Sequence, residues 1–573
     1  MPAQIAPTTD PIAVFDDAAT YRVAIIGVGP RGLAAAERLA HHAAQTDIAI
    51  ALTCIDTTAQ FGAGPNYDPG QPDLNRLNIA LRSIDIPCPR YKGALPLSFE
   101  QWLEHHVGVT DPEYYPARAE LGNYLHQRWQ MLAKTSPDPL SIKTINTRVK
   151  EIVATKGAWE LVCDPIALGP FDTVLLTLGH QTTTDAQIEK WRTHATASGA
   201  VLMPAYPSAA IVENAHGWKD TTVAIRGLGL STIDVVRLLT LGQGGRFQTG
   251  PNGLIYQPSG NEPHAIVPFS RDGIPPAPKP ASAELDAGYD LGEQAEAHFV
   301  DAVSNIVANS LDHPLERICD TVLDLSSPVC ARFELPREAV ATWLAVERAP
   351  NAHHRADRRA VRQIIAHHLA MAEGKTAPSP GYLVGQIWRK LQTALRRAFN
   401  PLTAHPTIAE EIVRFDEGMK RFSYGPPPRA MHEILALIDA GLLDLRAVND
   451  PDIVAVENGW RLSTDVTDRV VTVMIDAVLP PPDLEATSTP LIAGLRAAGL
   501  VSPAGAKLGT LARPDGTVVD TAGRDVGGLT VLGRLATGSV IATDSVHDCF
   551  GAASDRWARG VVSTATGAAR GAP

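Results

Sequence analysis

The chain has 573 residues, 45% of them apolar and 20% charged, with a formal net charge of -12. That describes a globular protein of two or three domains whose core needs no disulfide staples. The acidic balance and scattered Lys and Arg exclude nucleic acid as the expected partner, and no apolar run approaches the roughly 18 residues of a membrane span.

Residues 1–20 read as a disordered tail without the basic and apolar regions of a signal peptide. The six cysteines (54, 88, 163, 319, 330 and 549) show no CxxC spacing and read as reduced thiols of a cytoplasmic protein. Residues 23–26 are a short β-branched strand. Gly-x-Gly-x-x-Gly follows at Gly27, Gly29 and Gly32, then an Ala-rich segment, 33–44, of high helix propensity. Gly27 permits the turn, Gly29 admits a pyrophosphate and Gly32 lets helix and strand pack closely. The helix N-terminus then faces the phosphates. A second strand, 48–55, ends at Asp56, placed for a ribose hydroxyl. Residues 57–98 form a long loop rich in Gly, Pro, Asn and Asp, containing Gly64, Asn66 and Asn78, and long ordered loops are usually functional. A helix is expected over 116–135, with strands near 144–145, 151–153 and 159–162. A buried strand over 171–178 ends in a turn at Gly179 and His180.

The opening pattern recurs as a strand over 222–226, a turn at Gly227, Gly229, Ser231 and Thr232, and a helix over 233–241. Thr232 replaces the third glycine, which predicts a slightly wider spacing of helix and strand. The strand 265–269 ends at Ser270 and Arg271. A dinucleotide fold that takes NAD carries an acid there, whereas a cation accommodates a 2′-phosphate. Arg271 therefore points to NADP, with the adjacent Asp272 a contrary sign. From 285 amphipathic helical runs follow, at 285–310, 337–347, 382–399 and 430–440. Strands return at 470–478 and 530–534, and a helix closes 545–562. The layout is an α/β chain with two Rossmann-like dinucleotide-binding domains and a helical insert. The first part of the FAD-binding domain is placed at 21–220 and that of the NADP-binding domain at 221–284. The insert takes 285–450, both domains resume over 451–563, and 564–573 is a second disordered tail.

Several stretches together resemble the FAD-NAD(P)-binding flavoprotein family, which is similar to the flavin-dependent N-hydroxylating monooxygenases. They are Gly29-Pro30-Arg31-Gly32, Leu77-Asn78, Tyr115-Pro116-Ala117-Arg118, Leu176-Thr177-Leu178-Gly179-His180, Arg226-Gly227-Leu228-Gly229 and Ser270-Arg271-Asp272-Gly273. The resemblance spans about 22–282 and 414–560. It departs at Thr177-Leu178, where the family has Ala-Thr, and at the segment 544–548. It implies a cytoplasmic enzyme that uses FAD, NADPH and O2 to N-hydroxylate a small amine or amino acid through a C4a-hydroperoxyflavin. Length and layout resemble the subgroup that oxidises aspartate to nitrosuccinate. The cofactor carries that chemistry, so no catalytic side chain is assigned.

The implied FAD contacts are Gly27, Gly29, Gly32, Asp56, Gly64, Asn66, Asn78, Gly179 and Asp544, with Gly533 and Arg534 closing the site. The implied NADP contacts are Gly227, Gly229, Ser231, Thr232, Ser270 and Arg271. An aspartate-like substrate suits cationic clamps, for which Arg82, Arg90, Arg118 and Lys279 are candidates. His180 reads as a turn histidine before a proton-handling one. Two alternatives stay open: a flavin reductase or carbon/sulfur oxygenase on the same scaffold, and a non-catalytic flavin-binding protein. The His pairs at 41–42, 105–106, 353–354 and 367–368 point about 100° apart on a helix and predict no metal site. Oligomeric state is left open, a homo-oligomer with the insert as interface included.

Overall fold

The computed structural model describes residues 20–571 apart from 92–94, 136–137, 252 and 350–359. The N-terminal tail, but for residue 20, and the histidine pair at 353–354 lie outside the described residues. Two separate sheets carry the two glycine turns. The first runs, edge to edge, Thr517–Val519, Asp525–Val531, Thr173–Leu176, Tyr21–Ile26, Ile50–Asp56 and Leu140–Asn146. All pairings are parallel except the outermost, Thr517–Val519 on Asp525–Val531. Parallel strands covered on both faces read as unbroken apolar runs, and Ile50–Asp56 is buried along its length up to Asp56. The second sheet runs Ala265–Phe269, Thr222–Arg226, Val473–Asp476 and Val201–Pro204, all parallel.

This pairing shifts the expected division at 220/221. Val201–Pro204 already belongs to the second sheet, and the return segment divides, 473–476 completing the second sheet and 517–531 the first. Hydrophobic periodicity identifies a strand but not its neighbour, and parallel neighbours are joined by long crossovers. The duplication also extends beyond the glycine turns. Each sheet receives a three-stranded antiparallel meander, 151–171 and 452–471, just before the strand that flanks its glycine-turn strand.

Between strands Ala265–Phe269 and Asp452–Val456 lie, among the described residues, nine helices: Ala283–Ala287, Glu293–Ala308, Pro314–Arg332, Arg337–Glu347, Val361–Ala372, Pro380–Lys390, Gln392–Phe399, Pro406–Ser423 and Pro428–Asp439. The run expected as one helix over 285–310 is broken at Gly292, which sits at φ +85°. Similarly, 382–399 divides at Leu391. Most of the insert packs around Phe299, Trp388 and Phe415, and this core takes in Ala504, Leu508, Ile541 and Ala542 of the returning chain. Helices Val361–Ala372 and Pro428–Asp439 instead cover the second sheet, through Ile365, Leu369, Met431 and Leu437. Among the described residues no helix is long and apolar enough to cross a membrane.

The expected C-terminal tail is largely helix. Ala552–Gly571 is continuous and buries Trp557, Ala558, Val561, Val562 and Ala565. Alanine has the highest helix propensity, and packing against Pro30–Ala43 provides the tertiary support that a low-complexity reading misses. Helix Phe99–Val107, directly after the 57–98 loop and not expected from the sequence, carries a full capping box between Ser98 and Gln101.

Candidate functional site

The two glycine turns are bonded alike. Gly27 N–H donates to Ile55 O and Thr177 N–H to Ile26 O; in the second copy Gly227 N–H donates to Phe269 O and Ala477 N–H to Arg226 O. Each turn thus sits at the carboxyl edge of its sheet between two parallel strands, where open α/β sheets bind ligands.

At the first turn the glycines are required by contact. Gly27 has φ +88°, and a Cβ there would stand 2.8 Å from the Thr177 carbonyl oxygen. A Cβ on Gly32 would press on the Gly27 carbonyl oxygen, inside the distance that Cβ atoms keep from backbone oxygens. Gly64, at φ +65°, brings the 61–64 loop against the turn, 3.0 Å from its own would-be Cβ to Gly29 Cα, and Gly62 N–H donates to Val28 O at 2.6 Å. Asp56 accepts from Val28 N–H at 2.6 Å, so the acid at the end of the second strand stands directly beside the turn. Helix Pro30–Ala43 starts at Gly29 with no side-chain cap and no acid in its first turn. The result is a backbone cradle with free N–H groups, which suits a pyrophosphate.

The second cradle is looser. A Cβ on Gly227 would stand 3.3 Å from Ala477, and one on Gly229 would meet nothing within 4 Å. Ser231 and Thr232 are buried in the first turn of helix Leu230–Thr240, and the Thr232 hydroxyl has no hydrogen-bond partner among the described residues. Ser270 occupies the place that Asp56 holds in the first copy, following from the matched bonds of Ile55 and Phe269. Asp272 accepts from the Ser270 hydroxyl at 3.0 Å and from Ile274 N–H at 3.3 Å, so its carboxylate closes a local turn. Arg271 is exposed and makes no ion pair among the described residues. The contrary sign from Asp272 is thereby reduced.

The C-terminal segment 533–549 closes over the first turn. Arg31 is 7% exposed and its guanidinium is ion-paired to Asp548. Gly533, at φ +83°, leaves room for that side chain, since a Cβ there would lie 2.5 Å from Arg31 Nε. Asp544 bridges Lys420, at 2.5 Å, and Arg534, also at 2.5 Å. Desolvation opposes ionisation of Asp544, but Lys420 and then Arg534 outweigh it and hold its carboxyl well below the usual range. His180 and Asp544 reach solvent yet are crowded by protein, as groups lining a cleft are. Burial, then the Arg534 charge, lowers the His180 pKa to about 4, so this imidazole is neutral near pH 7. Gly179 beside it has φ +65° and open space around its Cα.

The loop residues divide. Asn66 is exposed. Asn78 donates its side-chain amide to Tyr424 O at 3.1 Å, and its backbone carbonyl accepts from the Lys279 ammonium at 2.5 Å. The candidate clamps divide as well. Arg82 is engaged by Glu113 at 2.7 Å and Asp286 at 3.5 Å. Arg118 is engaged by Asp234 at 2.6 Å and the Tyr206 hydroxyl at 3.0 Å, joining helix Arg118–Thr135 to the second cradle's helix. Both cations are neutralised by the chain's own carboxylates, which argues against their use as clamps. Arg90 is exposed, and its carbonyl is tied to His41. Lys279, from outside the loop, meets it through the Asn78 carbonyl and makes no ion pair among the described residues. Sequence reasoning passed over Arg31, Lys420 and Asp548. Arg31 carried a signal: a cation beside an uncapped helix N-terminus opposes the helix dipole and calls for a carboxylate partner. Among the described residues no group of three His, Cys, Asp or Glu is arranged to hold a metal ion.

Residues 24–181, the first sheet's core with its cradle and loop, match the family model for FAD-NAD(P)-binding. The chain carries an FAD-NAD(P)-binding domain. Around that domain the likeness to curated proteins runs through most of the chain. The chain is 26% identical over 541 residues to nitrosuccinic acid synthase of Aspergillus oryzae, covering 84% of this chain and 82% of that protein. It is 26% identical over 567 residues to the nitrosuccinate-forming L-aspartate N-monooxygenase of Streptomyces cremeus, covering 83% and 82%. A solved structure, the FAD-bound cadaverine monooxygenase of Erwinia amylovora, aligns over 95% of both chains at 10% identity and a TM-score of 0.49.

Proposed function

We propose that the protein is an FAD- and NADPH-dependent monooxygenase that N-oxygenates the amino group of an amino acid, aspartate being the substrate, on the way to nitrosuccinate. What carries this reading is the likeness to the two curated enzymes over more than four fifths of the chain, well beyond the FAD-NAD(P)-binding domain at 24–181. The bound flavin, reduced by the nicotinamide, supplies the oxygen-transfer chemistry. In this reading Gly27, Gly29, Gly32 and Asp56 hold the ADP half of FAD. The loop at Gly64, Asn66 and Asn78, Gly179, and Asp544 with its two cations border the flavin. Gly227, Gly229, Ser231 and Thr232 receive the NADP pyrophosphate, with the unpartnered Thr232 hydroxyl a free group in that turn. Ser270 and Arg271 take the 2′-phosphate. Arg31 and Asp548 neutralise each other under Gly533, which keeps the closing segment seated and water out.

The purified protein is expected to show flavin absorbance near 450 nm that NADPH bleaches anaerobically. In air, aspartate should give an N-oxygenated product detectable by mass spectrometry. A flavin band that NADPH bleaches, with peroxide but no product from aspartate, would exclude this substrate. Bleaching without any oxygenated product from a panel of amines and amino acids would favour a flavin reductase. Arg271→Ala should raise the KM for NADPH about 10- to 100-fold, the worth of a lost charge-assisted phosphate contact, while leaving that for NADH within about twofold. An equal change for both nucleotides would remove Arg271 from the 2′-phosphate site.

A further inference from the structure

The two cradles are joined by a continuous path of close contacts, and its last link is a buried ion pair. The path begins at the first cradle, where the 61–64 loop leans on the glycine turn. Helix Arg118–Thr135 backs that loop. The His126 ring donates from Nδ1 to Phe61 O at 2.9 Å. A Cβ on Gly62 would stand 2.6 Å from Leu125 O, and one on Gly122 would collide with Tyr67 O. Backbones packed this closely leave the helix little freedom relative to the cradle.

The path ends on the second cradle. From its first residue the helix sends Arg118 to Asp234 at 2.6 Å and to the Tyr206 hydroxyl at 3.0 Å. Tyr206 donates to the same carboxylate at 2.7 Å, so the three groups close a triangle. The side chains of Arg118 and Asp234 are 12% and 6% exposed. Asp234 follows closely on Thr232 in helix Leu230–Thr240, whose N-terminus forms the second cradle. A second tie runs beside the first. Asn75 is wholly buried, its carbonyl accepts from Arg118 N–H at 2.9 Å, and its side-chain amide donates to the Ser208 hydroxyl at 2.8 Å. Leu74 packs against the core of the second sheet.

The chain passes between the two sheets after Thr173–Leu176 and again after Val473–Asp476, and the two passages pair with each other. Thr184 N–H donates to Ala486 O at 2.8 Å, and Ser488 N–H to Thr182 O at 2.9 Å. Such a double crossing is a line about which one domain can swing on the other, so contacts outside it set the angle.

We propose that Arg118 is a positioning residue for reduction of the flavin by the nicotinamide: through Asp234 and Tyr206 it fixes the second cradle against the first, and with it the distance between the two bound rings. This rests on the two-cofactor reading above and is independent of the substrate. Each cofactor is gripped at its pyrophosphate, far along the molecule from the ring that reacts, so a small rotation of one cradle is enlarged at the ring. Reacting atoms must approach to about 3–3.5 Å, and a displacement near 1 Å can cost about 100-fold in rate. A fully satisfied buried network has a single geometry, which suits it to fixing that distance.

The test compares the flavin-loaded wild-type protein with Arg118→Met, Arg118→Lys and Tyr206→Phe. The last keeps the ion pair and loses only a hydroxyl, so it retains the fold, and flavin absorbance reports folding in each. Arg118→Met should lower the limiting rate of anaerobic bleaching by NADPH about 10- to 100-fold per bound flavin, while the calorimetric Kd for NADP⁺ stays within about threefold. Arg118→Lys and Tyr206→Phe should fall between it and the wild type. A second readout needs no turnover. NADP⁺ added to the dithionite-reduced protein should give the long-wavelength absorbance of a nicotinamide stacked on reduced flavin, and that band should weaken in the same order. An unchanged limiting rate and band in the folded variants overturn the proposal. So does a weakened Kd for NADP⁺ with an unchanged limiting rate, because the contact would then serve the second cradle alone. Wild-type protein that holds FAD and is not bleached by NADPH sinks the two-cofactor reading, and this proposal with it.

Discussion

Gly32→Ala should strip the protein of FAD, lowering its affinity about 100-fold or more. The added methyl would press on the Gly27 carbonyl oxygen. Both parties are backbone, so no flexible side chain can yield. Relief requires the helix to move off the strand, which costs roughly 1–3 kcal/mol in overpacking. The same movement displaces the N–H groups of the cradle, each charge-assisted bond being worth about 1.5–3 kcal/mol. Together these exceed the roughly 2.7 kcal/mol that corresponds to a 100-fold change. Flavin retained after gel filtration, read from the visible absorbance, decides the matter. A variant that keeps a full complement of FAD would show that the cradle is not the pyrophosphate site.

The second large effect falls on stability. Arg128 and Glu37 form an ion pair with side chains 1% and 0% exposed. The pair is two-pronged, at 3.0 and 2.6 Å, and Arg128 also donates to Ile86 O at 2.8 Å and stands 4.6 Å over the Phe550 ring. One guanidinium thus ties helix Pro30–Ala43, the long loop and the closing segment to helix Arg118–Thr135. Arg128→Met leaves the Glu37 carboxylate buried without a counter-ion, with only the weak Cys88 thiol donor at 3.6 Å, and should cost about 3–5 kcal/mol. Replacing both residues, by Leu at 37 and Met at 128, should recover much of the loss, because the expense lies in the orphaned charge rather than in the missing attraction. Chemical denaturation of the single and double variants measures both. A single variant within about 1 kcal/mol of the parent would show that water reaches the Glu37 carboxylate.

Local chemistry was legible in the sequence where backbone geometry dictates residue type. The glycines at 27 and 32, Asp56 and the second copy at 227–232 were readable because close approach and positive φ leave few alternatives. Strands 222–226 and 265–269 and helix 337–347 were readable because burial imposes a period on side chains. Tertiary structure alone decided which strands are neighbours. The separation of 473–476 from 517–531 into different sheets, and the passage of 201–204 to the second, depend on crossovers that leave no local mark. It also decided which cations are available. Arg82, Arg90, Arg118 and Lys279 are alike as letters. Their difference lies in the partner each meets, Glu113 for Arg82 and Asp234 for Arg118, and only a backbone carbonyl for Lys279. Charge pairing is set by groups far apart in sequence, so no spacing rule reaches it.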